Sequence, residues 1–189
     1  MTVQFQEEGH IYTAKNVIYP SVTKIISHSL GECTWGNQEL MDLGTSLHKT
    51  TALHDRGLLK KCPDEQRLYL DNWEKFKKMF NPKFLQIETP MISKKKGFAG
   101  TPDRVAEIMG DIVIIDIKRS ASNQKRYAYQ SMAYKILVEE NIKIKIKKRF
   151  VVLLQEKWFR LEPHLNDYSD KQTFLTMLKE YKENACNQT

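Results

Sequence analysis

Asp103, Asp116 and Lys118 are the residues of this 189-residue chain whose types and spacing best suit chemistry. Asp103 closes the segment Gly100-Thr101-Pro102-Asp103, and Asp116-Ile117-Lys118 follows the apolar run Ile112-Val113-Ile114-Ile115. That run reads as a β-strand buried on both faces, and its alternation puts Asp116 and Lys118 on one side with Ile115 and Ile117 on the other. Pairing it with the preceding strand through Met109-Gly110-Asp111 can set Asp103 beside Asp116. Two carboxylates at the end of a hydrophobic hairpin repel each other and lose solvation, and a cation between them relieves both costs. Oxygen ligands favour a hard divalent ion, Mg²⁺ or Mn²⁺. Lys118 beside such an ion would orient or help deprotonate a water and stabilise charge developing on a phosphate. Taken alone, the same residues also describe a turn aspartate and a surface Asp–Lys pair. The buried run before Asp116 favours the chemical reading, because polar groups at its end are costly without a purpose.

The elements that must position these groups can be read from periodicity. His10–Tyr12 and Val17–Tyr19 form a short hairpin, followed by a helix that Ser21 caps and Val22, Ile25, Ile26 and Leu30 line. A second helix carries Leu40, Leu43, Gly44, Leu47, His48 and Thr51 on one face and ends near Gly57. A third follows Pro63-Asp64, with Leu68, Leu70, Trp73, Phe76 and Phe80 apolar and Asn81-Pro82 as its stop. Phe84–Ile92, Phe98–Ile108 and Ile112–Lys118 then read as three strands. A helix from Asn123 to Glu140, a strand or hairpin over Ile142–Gln155 and Trp158–Leu161, and a helix over Ser169–Asn184 complete the chain. This order describes an α/β fold with a mixed central sheet.

Composition bounds the rest. With 41% hydrophobic and 28% charged residues, 8 Gly and 6 Pro, the chain is globular and is expected to form one domain. That domain comprises an N-terminal hairpin and helices (1–82), a catalytic sheet and helix (83–161) and a closing helix (162–189). The longest apolar runs, Ile112–Ile115 and Phe150–Leu154, fall far short of the ~20 residues of a membrane helix. A soluble protein with no membrane partner is expected. MTVQFQEEGH has neither secretory nor transit character, and Cys33, Cys62 and Cys186 are odd in number and widely spaced. A reducing, cytoplasmic setting follows.

Net charge is +7, and residues 94–149 alone carry 14 basic against 6 acidic side chains. Such a region attracts polyanions, nucleic acid being the commonest, and a lysine-rich solvated surface is the plain alternative. Lys143, Lys145, Lys147, Lys148 and Arg149 alternate with Ile142, Ile144 and Ile146, as in a strand with one basic face or an edge protected by lysine. Lys94-Lys95-Lys96 and Arg119, closer in sequence to the aspartates, have the better claim to DNA. Trp35 and Trp73 could stack on bases, with at least one expected in the core.

The segment from Gly97 to Leu137 resembles the nuclease core of the PD-(D/E)XK superfamily, in its RecB-like branch. Four motifs occur in that branch's order: Gly44 to His48, Gly100 to Asp103, Asp116 to Lys118, and Gln130 to Tyr134. His10-x-Tyr12 with Pro20-Ser21-Val22-Thr23 further resembles the opening of stand-alone phage and mitochondrial-type exonucleases. The resemblance implies a restriction-endonuclease-like core with an N-terminal helical extension. Its activity would be a DNA exonuclease leaving 5′-phosphates, with one or two Mg²⁺ or Mn²⁺ ions. His48, Asp103, Asp116 and the backbone carbonyl of Ile117 would be metal ligands and Lys118 the catalytic lysine, with Glu88 a further acidic group near them. His54 lies on a different face of the helix and has no role. Gln130 and Tyr134, four apart, share one helical face, for which simple core packing is the plain reading; the resemblance implies that they hold the scissile phosphate or adjoining strand and that Arg119 and Lys96 touch DNA. Ser21 and Thr23 read as caps, with phosphate contact the alternative. The iron–sulfur relatives need four spaced cysteines, so no cluster is expected here. DNA, as single strands or duplex ends, is the expected partner, with recombination or replication proteins beside it, and a phage-encoded enzyme acting in host cytoplasm fits so compact a chain. An endonuclease, a duplex-resecting nuclease and a non-catalytic nucleic-acid-binding module are the other readings.

Overall fold

A computed structural model describes residues 3–6, 8–31, 38–120 and 123–186. Its centre is a five-stranded mixed sheet. In chain order the sheet uses β4 (Lys83–Ile87), β7 (Arg104–Ile108), β8 (Asp111–Lys118), β9 (Lys148–Leu154) and β10 (Phe159–His164), in the spatial order β10-β9-β8-β7-β4. The β8–β9 pair is parallel and the other pairs are antiparallel. The parallel pair needs a crossover, which α4 (Gln124–Ile142) supplies. Three shorter strands, β1 (Gln4–Gln6), β2 (Ile11–Ala14) and β3 (Val17–Tyr19), make an N-terminal antiparallel sheet, and β5 (Met91–Ser93) with β6 (Phe98–Gly100) makes a separate ribbon.

Helices cover both faces because the central strands are apolar on both. Val105 of β7 and Ile114 of β8 face a core shared by α1 (Val22–Leu30), α4 and α5 (Asp167–Cys186). Their chain neighbours Ala106, Val113, Ile115 and Ile117 face the other core, filled by Leu47 of α2 (Gln38–Asp55) and by Leu70, Trp73 and Phe76 of α3 (Arg67–Phe80). Trp73 and Phe76 are fully buried and stacked, each contributing about 2–3 kcal/mol by its burial. Trp73 is thus a core residue, whereas Cys33, Trp35 and the side chains of Leu40 and Cys186 lie outside the described residues.

The helix starts follow their caps. Ser21 Oγ accepts from Lys24 N, and Asn123 caps α4 through Arg126 N. The strands depart from their sequence-based limits in three places. Phe84–Ile92 is two strands, because Glu88 adopts φ 44° and Pro90 offers no N–H to a ladder. Phe98–Ile108 is likewise broken, at Thr101-Pro102-Asp103, so β5 and β6 leave the main sheet as a wholly buried pair. The third departure is at Ile142–Lys147, which contains no strand. Ile142 closes α4, Lys143 takes the left-handed φ of 58°, and only Ile146 is buried, its N–H held by Glu139. Arg149, expected on a basic face, is fully buried and bound by Asp167 and Asp170. Leu68, expected in the core, is about half exposed, because Tyr69 and Leu70 occupy the inward face of α3.

No described helix is long and apolar enough to cross a membrane.

Candidate functional site

The β7–β8 hairpin turns on Met109-Gly110, both at positive φ (51° and 82°), which matches the twist of the flanking strands. Its register opposes Arg104 to Ile115, so one step further along Asp103 lies beside Asp116, as the sequence suggested. Asp103 Oδ2 accepts a 2.6 Å hydrogen bond from the backbone N–H of Ile117, which locks the two strands at this point. Asp116 and Lys118 share the face of Ile114, towards α4, and both are largely buried. Lys118 Nζ lies 2.8 Å from Asp116 Oδ2 but off the line of a good hydrogen bond, and Asp116 Oδ1 has no hydrogen-bond partner.

α2 brings His48 to the same point. His48 Nδ1 is 3.2 Å from Asp103 Oδ2 and 3.7 Å from Glu88 Oε1. The positive φ of Glu88, just past β4, turns that carboxylate towards the imidazole. His48, Glu88 and Asp103 each offer a ligand atom, all within 4.8 Å of one another. Among the described residues this triad could hold a metal ion; Asp116, adjacent to it, is drawn to Lys118 instead.

The charges are strongly coupled. Burial raises the Asp116 carboxyl to about 6, and the Asp103 charge adds to this against the pull of Lys118. For Asp103 burial acts upward too, but the His48 charge and hydrogen bond, with Lys118 and the Ile117 N–H, hold it at about 2. Burial opposes the His48 imidazolium, yet Asp103 and Glu88 raise it to about 10. Burial and the Asp103 charge raise Glu88. The Lys118 ammonium, disfavoured by burial, is held above its usual range by Asp116 and Asp103. Perturbed groups gathered at one strand end are what a reactive site requires.

Two tyrosines stand near the acidic groups, Tyr134 by Asp116 and Asp103 and Tyr12 by Glu88. Gln130 Nε2 donates to the Tyr134 hydroxyl at 2.9 Å, and the Tyr134 ring fills the space where Gly100 would otherwise carry a Cβ, 2.9 Å from Cε1. Burial and the charges of Asp116 and Asp103 drive the Tyr134 phenol far upward. From β2, the Tyr12 hydroxyl meets Thr101 Oγ1 at 2.9 Å, and burial raises it to about 12. Tyr12 had no assigned role in the sequence beyond its place in a motif.

Not every expected residue comes to the pocket. Arg119 alternates to the opposite face of β8, where its guanidinium stacks 4.9 Å from the Tyr69 ring centroid and donates to the Tyr69 hydroxyl. Lys96 sits in the β5–β6 turn, beyond Glu140 of α4, and its carbonyl accepts from Lys182. His54 contacts Glu74, Lys77 and Asp55, away from the triad. Sequence reading missed Asp55 and Arg104, which form a buried support behind the site. Arg104 Nε donates to Asp55 Oδ2 at 2.8 Å, and Nη1 reaches Glu88 Oε1 and the carbonyl of Asp103. An arginine directly before Val105-Ala106 in a buried strand was the available signal.

No protein-family profile matches the chain, and no curated protein sequence matches it. Among solved structures, the protein named "Putative exonuclease" from Eubacterium rectale superposes with a TM-score of 0.54 at 11% identity, covering 87% of this chain and 73% of its own. SSO0001 covers 84% of this chain and 82% of its own at 14% identity, with a TM-score of 0.40. The first likeness is one of fold: a mixed central sheet flanked by helices.

Proposed function

We propose that the protein is a divalent-metal-dependent deoxyribonuclease of the PD-(D/E)XK superfamily and its RecB-like branch, acting as an exonuclease that leaves 5′-phosphates. One observation carries this reading. Asp116 is a fully buried carboxylate with an orphaned oxygen, set beside a His–Glu–Asp triad and a lysine at the end of one hairpin. A buried carboxylate oxygen left without a hydrogen bond is costly even with Lys118 beside its neighbour, and a hard cation is the occupant its chemistry fits. The exonuclease named among the structural neighbours is consistent with the same reading.

Asp103, Asp116 and His48 are the residues that would hold the ion, with Glu88 and the Ile117 carbonyl as further donors, and Mg²⁺ or Mn²⁺ is the class expected. Bound there, such an ion would supply an acidified water and polarise a phosphoryl oxygen. Lys118 positions the attacking water and offsets negative charge at phosphorus. The water oxygen forms the new bond to phosphorus as the bond to O3′ breaks, leaving a 5′-phosphate and a 3′-hydroxyl. Gln130 and Tyr134, tied to each other and facing the carboxylates, orient the phosphate or adjoining nucleotide. Asp55 and Arg104 act as positioning residues by fixing Glu88 and the backbone of Asp103.

DNA labelled at the 5′ or the 3′ end, in single-stranded, blunt and circular forms, is incubated with Mg²⁺ or Mn²⁺ and with wild type, Asp116→Ala or Lys118→Ala. Metal-dependent mononucleotide or short-oligonucleotide release from linear DNA is expected for wild type alone, with the variants still folded and binding DNA. Undiminished digestion by either variant would overturn the assignment, and cutting of circles would replace the exonuclease with an endonuclease.

A further inference from the structure

The basic excess of residues 94–149 is not at the carboxylate pocket. Within that stretch Arg104 and Arg149 are buried with carboxylate partners, Arg119 is stacked on Tyr69, and Lys118 and Lys135 are paired with Asp116 and Asp167. The fold gathers most of the remainder elsewhere. α4 starts near the pocket, with Gln130 and Tyr134, and runs to the opposite end of β8, where Lys143 terminates it. Lys143, Lys145 and Lys147 follow in the irregular connection to β9, all exposed.

The β5–β6 turn meets this connection. Ser93 Oγ donates to Glu140 Oε2, Lys95 N donates to Glu140 Oε1, and Asn141 Nδ2 reaches the carbonyl of Ile92. The Lys94–Lys96 turn and the Lys143–Lys147 connection therefore both border the C-terminal end of α4, although about fifty residues of chain separate the two runs. The turn itself is pinned: Gly97 has φ 69°, and Lys182 Nζ covers it while donating to the carbonyl of Lys96.

Among the described residues none of these six lysines makes an ion pair. Lys148, next in sequence, does so with Asp111. Edge protection does not explain them, because the connection is not a strand and it leads into β9, an inner strand of the sheet. Lys147 also feels the charge of Asp111, which Lys148 already pairs; the remaining like charges oppose each other, and a polyanion across them removes that repulsion and releases counterions.

We propose that this pole is a second nucleic-acid contact, a phosphate-backbone clamp remote from the carboxylate pocket. The choice of nucleic acid as occupant rests on the nuclease reading above. From Asp111 to Asp116 along β8 is about 17 Å at ~3.3 Å per residue. That distance corresponds to roughly five nucleotide steps of a strand, so one DNA molecule can occupy both sites. The clamp holds the part of the substrate not being cut.

Fluorescence anisotropy in EDTA tests it with labelled single strands of about 3 and about 25 nucleotides, since about two nucleotide steps fall short of the second site and only the longer strand reaches both. Wild type is compared with Lys143→Glu/Lys145→Glu/Lys147→Glu and, independently, with Lys94→Glu/Lys95→Glu, each checked for wild-type circular dichroism and melting. For the triple variant, affinity for the long strand is expected to fall at least about tenfold, and the slope of log K against log salt to shrink by about 2. Binding and metal-dependent cleavage of the short strand stay at wild-type values. Long-strand affinity and salt slope unchanged in both variants would overturn the clamp while leaving the nuclease reading intact. Patch-dependent binding by a wild type that cleaves nothing would support the clamp and overturn the nuclease. Absence of wild-type binding to the long strand, or lysine-dependent binding only to phosphatidylserine vesicles, would overturn the clamp.

Discussion

Arg104 follows Asp103 in sequence but points to the opposite face of β7, where its Nε donates to Asp55 Oδ2 at 2.8 Å with both side chains fully buried. The guanidinium also lies over the Trp73 and Phe84 rings and reaches Glu88. Asp55 in turn accepts from Trp73 Nε1 and Lys77 Nζ. Removing one partner of a buried pair strands the other charge. Asp55→Ala is therefore expected to cost about 3–5 kcal/mol in urea unfolding. A loss below about 1 kcal/mol would show that the pair is not what holds this corner.

Asp116 gives stability a distinctive pH dependence. Its folded carboxyl is raised to about 6, so the folded protein holds a proton that the unfolded chain releases near 4. The stability from this group is intact below its unfolded pKa and is lost as pH rises through its folded one, on the order of 3 kcal/mol. His48, raised to about 10, contributes fully until pH exceeds about 6.5 and so leaves the lower window unchanged. Thermal melting of metal-free protein should show a falling Tm from about pH 4 to 6.5, and Asp116→Asn should flatten that fall. An equal slope in the variant would remove Asp116 as its source.

Glu88 separates the triad from the aspartate pair. Its carboxylate contacts His48 and Arg104 while burial and Asp103 raise its pKa, so it can serve as a ligand or as the group that orients one. Glu88→Gln should weaken Mn²⁺ binding by about 10–100-fold in calorimetric titration. Wild-type affinity in that variant would confine the ion to His48 and the two aspartates.

Gly100 is required for space. A Cβ there would meet Tyr134 Cε1 and Val22 Cγ2 at 2.9 Å and Leu137 Cδ1 at 3.1 Å. Gly100→Ala should therefore cost about 1–3 kcal/mol through overpacking and displace the Tyr134 ring. Tyrosine fluorescence and melting together check this, and an unperturbed melt would show that α1 and α4 yield freely.

The part of this site that is legible in the sequence is the part made by local alternation. Asp116, Lys118 and the hairpin partner Asp103 follow from a strand of period two and a short turn read at Met109-Gly110-Asp111; the structure closes that turn on Met109-Gly110 and pairs Ile108 with Asp111, which sets Asp103 beside Asp116. The α4 helix and its Gln130–Tyr134 spacing follow from period 3.6 in the same way. Tertiary partners were not legible. Arg149 and Arg104 are charged residues within buried strands, and only the fold supplies Asp167, Asp170 and Asp55 to neutralise them. The lysine-isoleucine alternation at 142–147 imitates a strand, but no neighbouring strand pairs with it and Ile146 alone needs burial. Breaks at Pro90 and Pro102 were readable in principle, since each proline removes a ladder donor from a run that otherwise looks continuous.

The Met109-Gly110 turn joins β7 to β8 over the shortest possible loop, while His48 arrives from a helix far upstream in the chain. Closing the ribbon orders few residues, whereas docking the imidazole requires a long loop to close. The acidic pair is thus a local product of one hairpin, while the imidazole beside it depends on the packing of a helix from the other half of the chain, so the candidate site is complete only when both halves are joined.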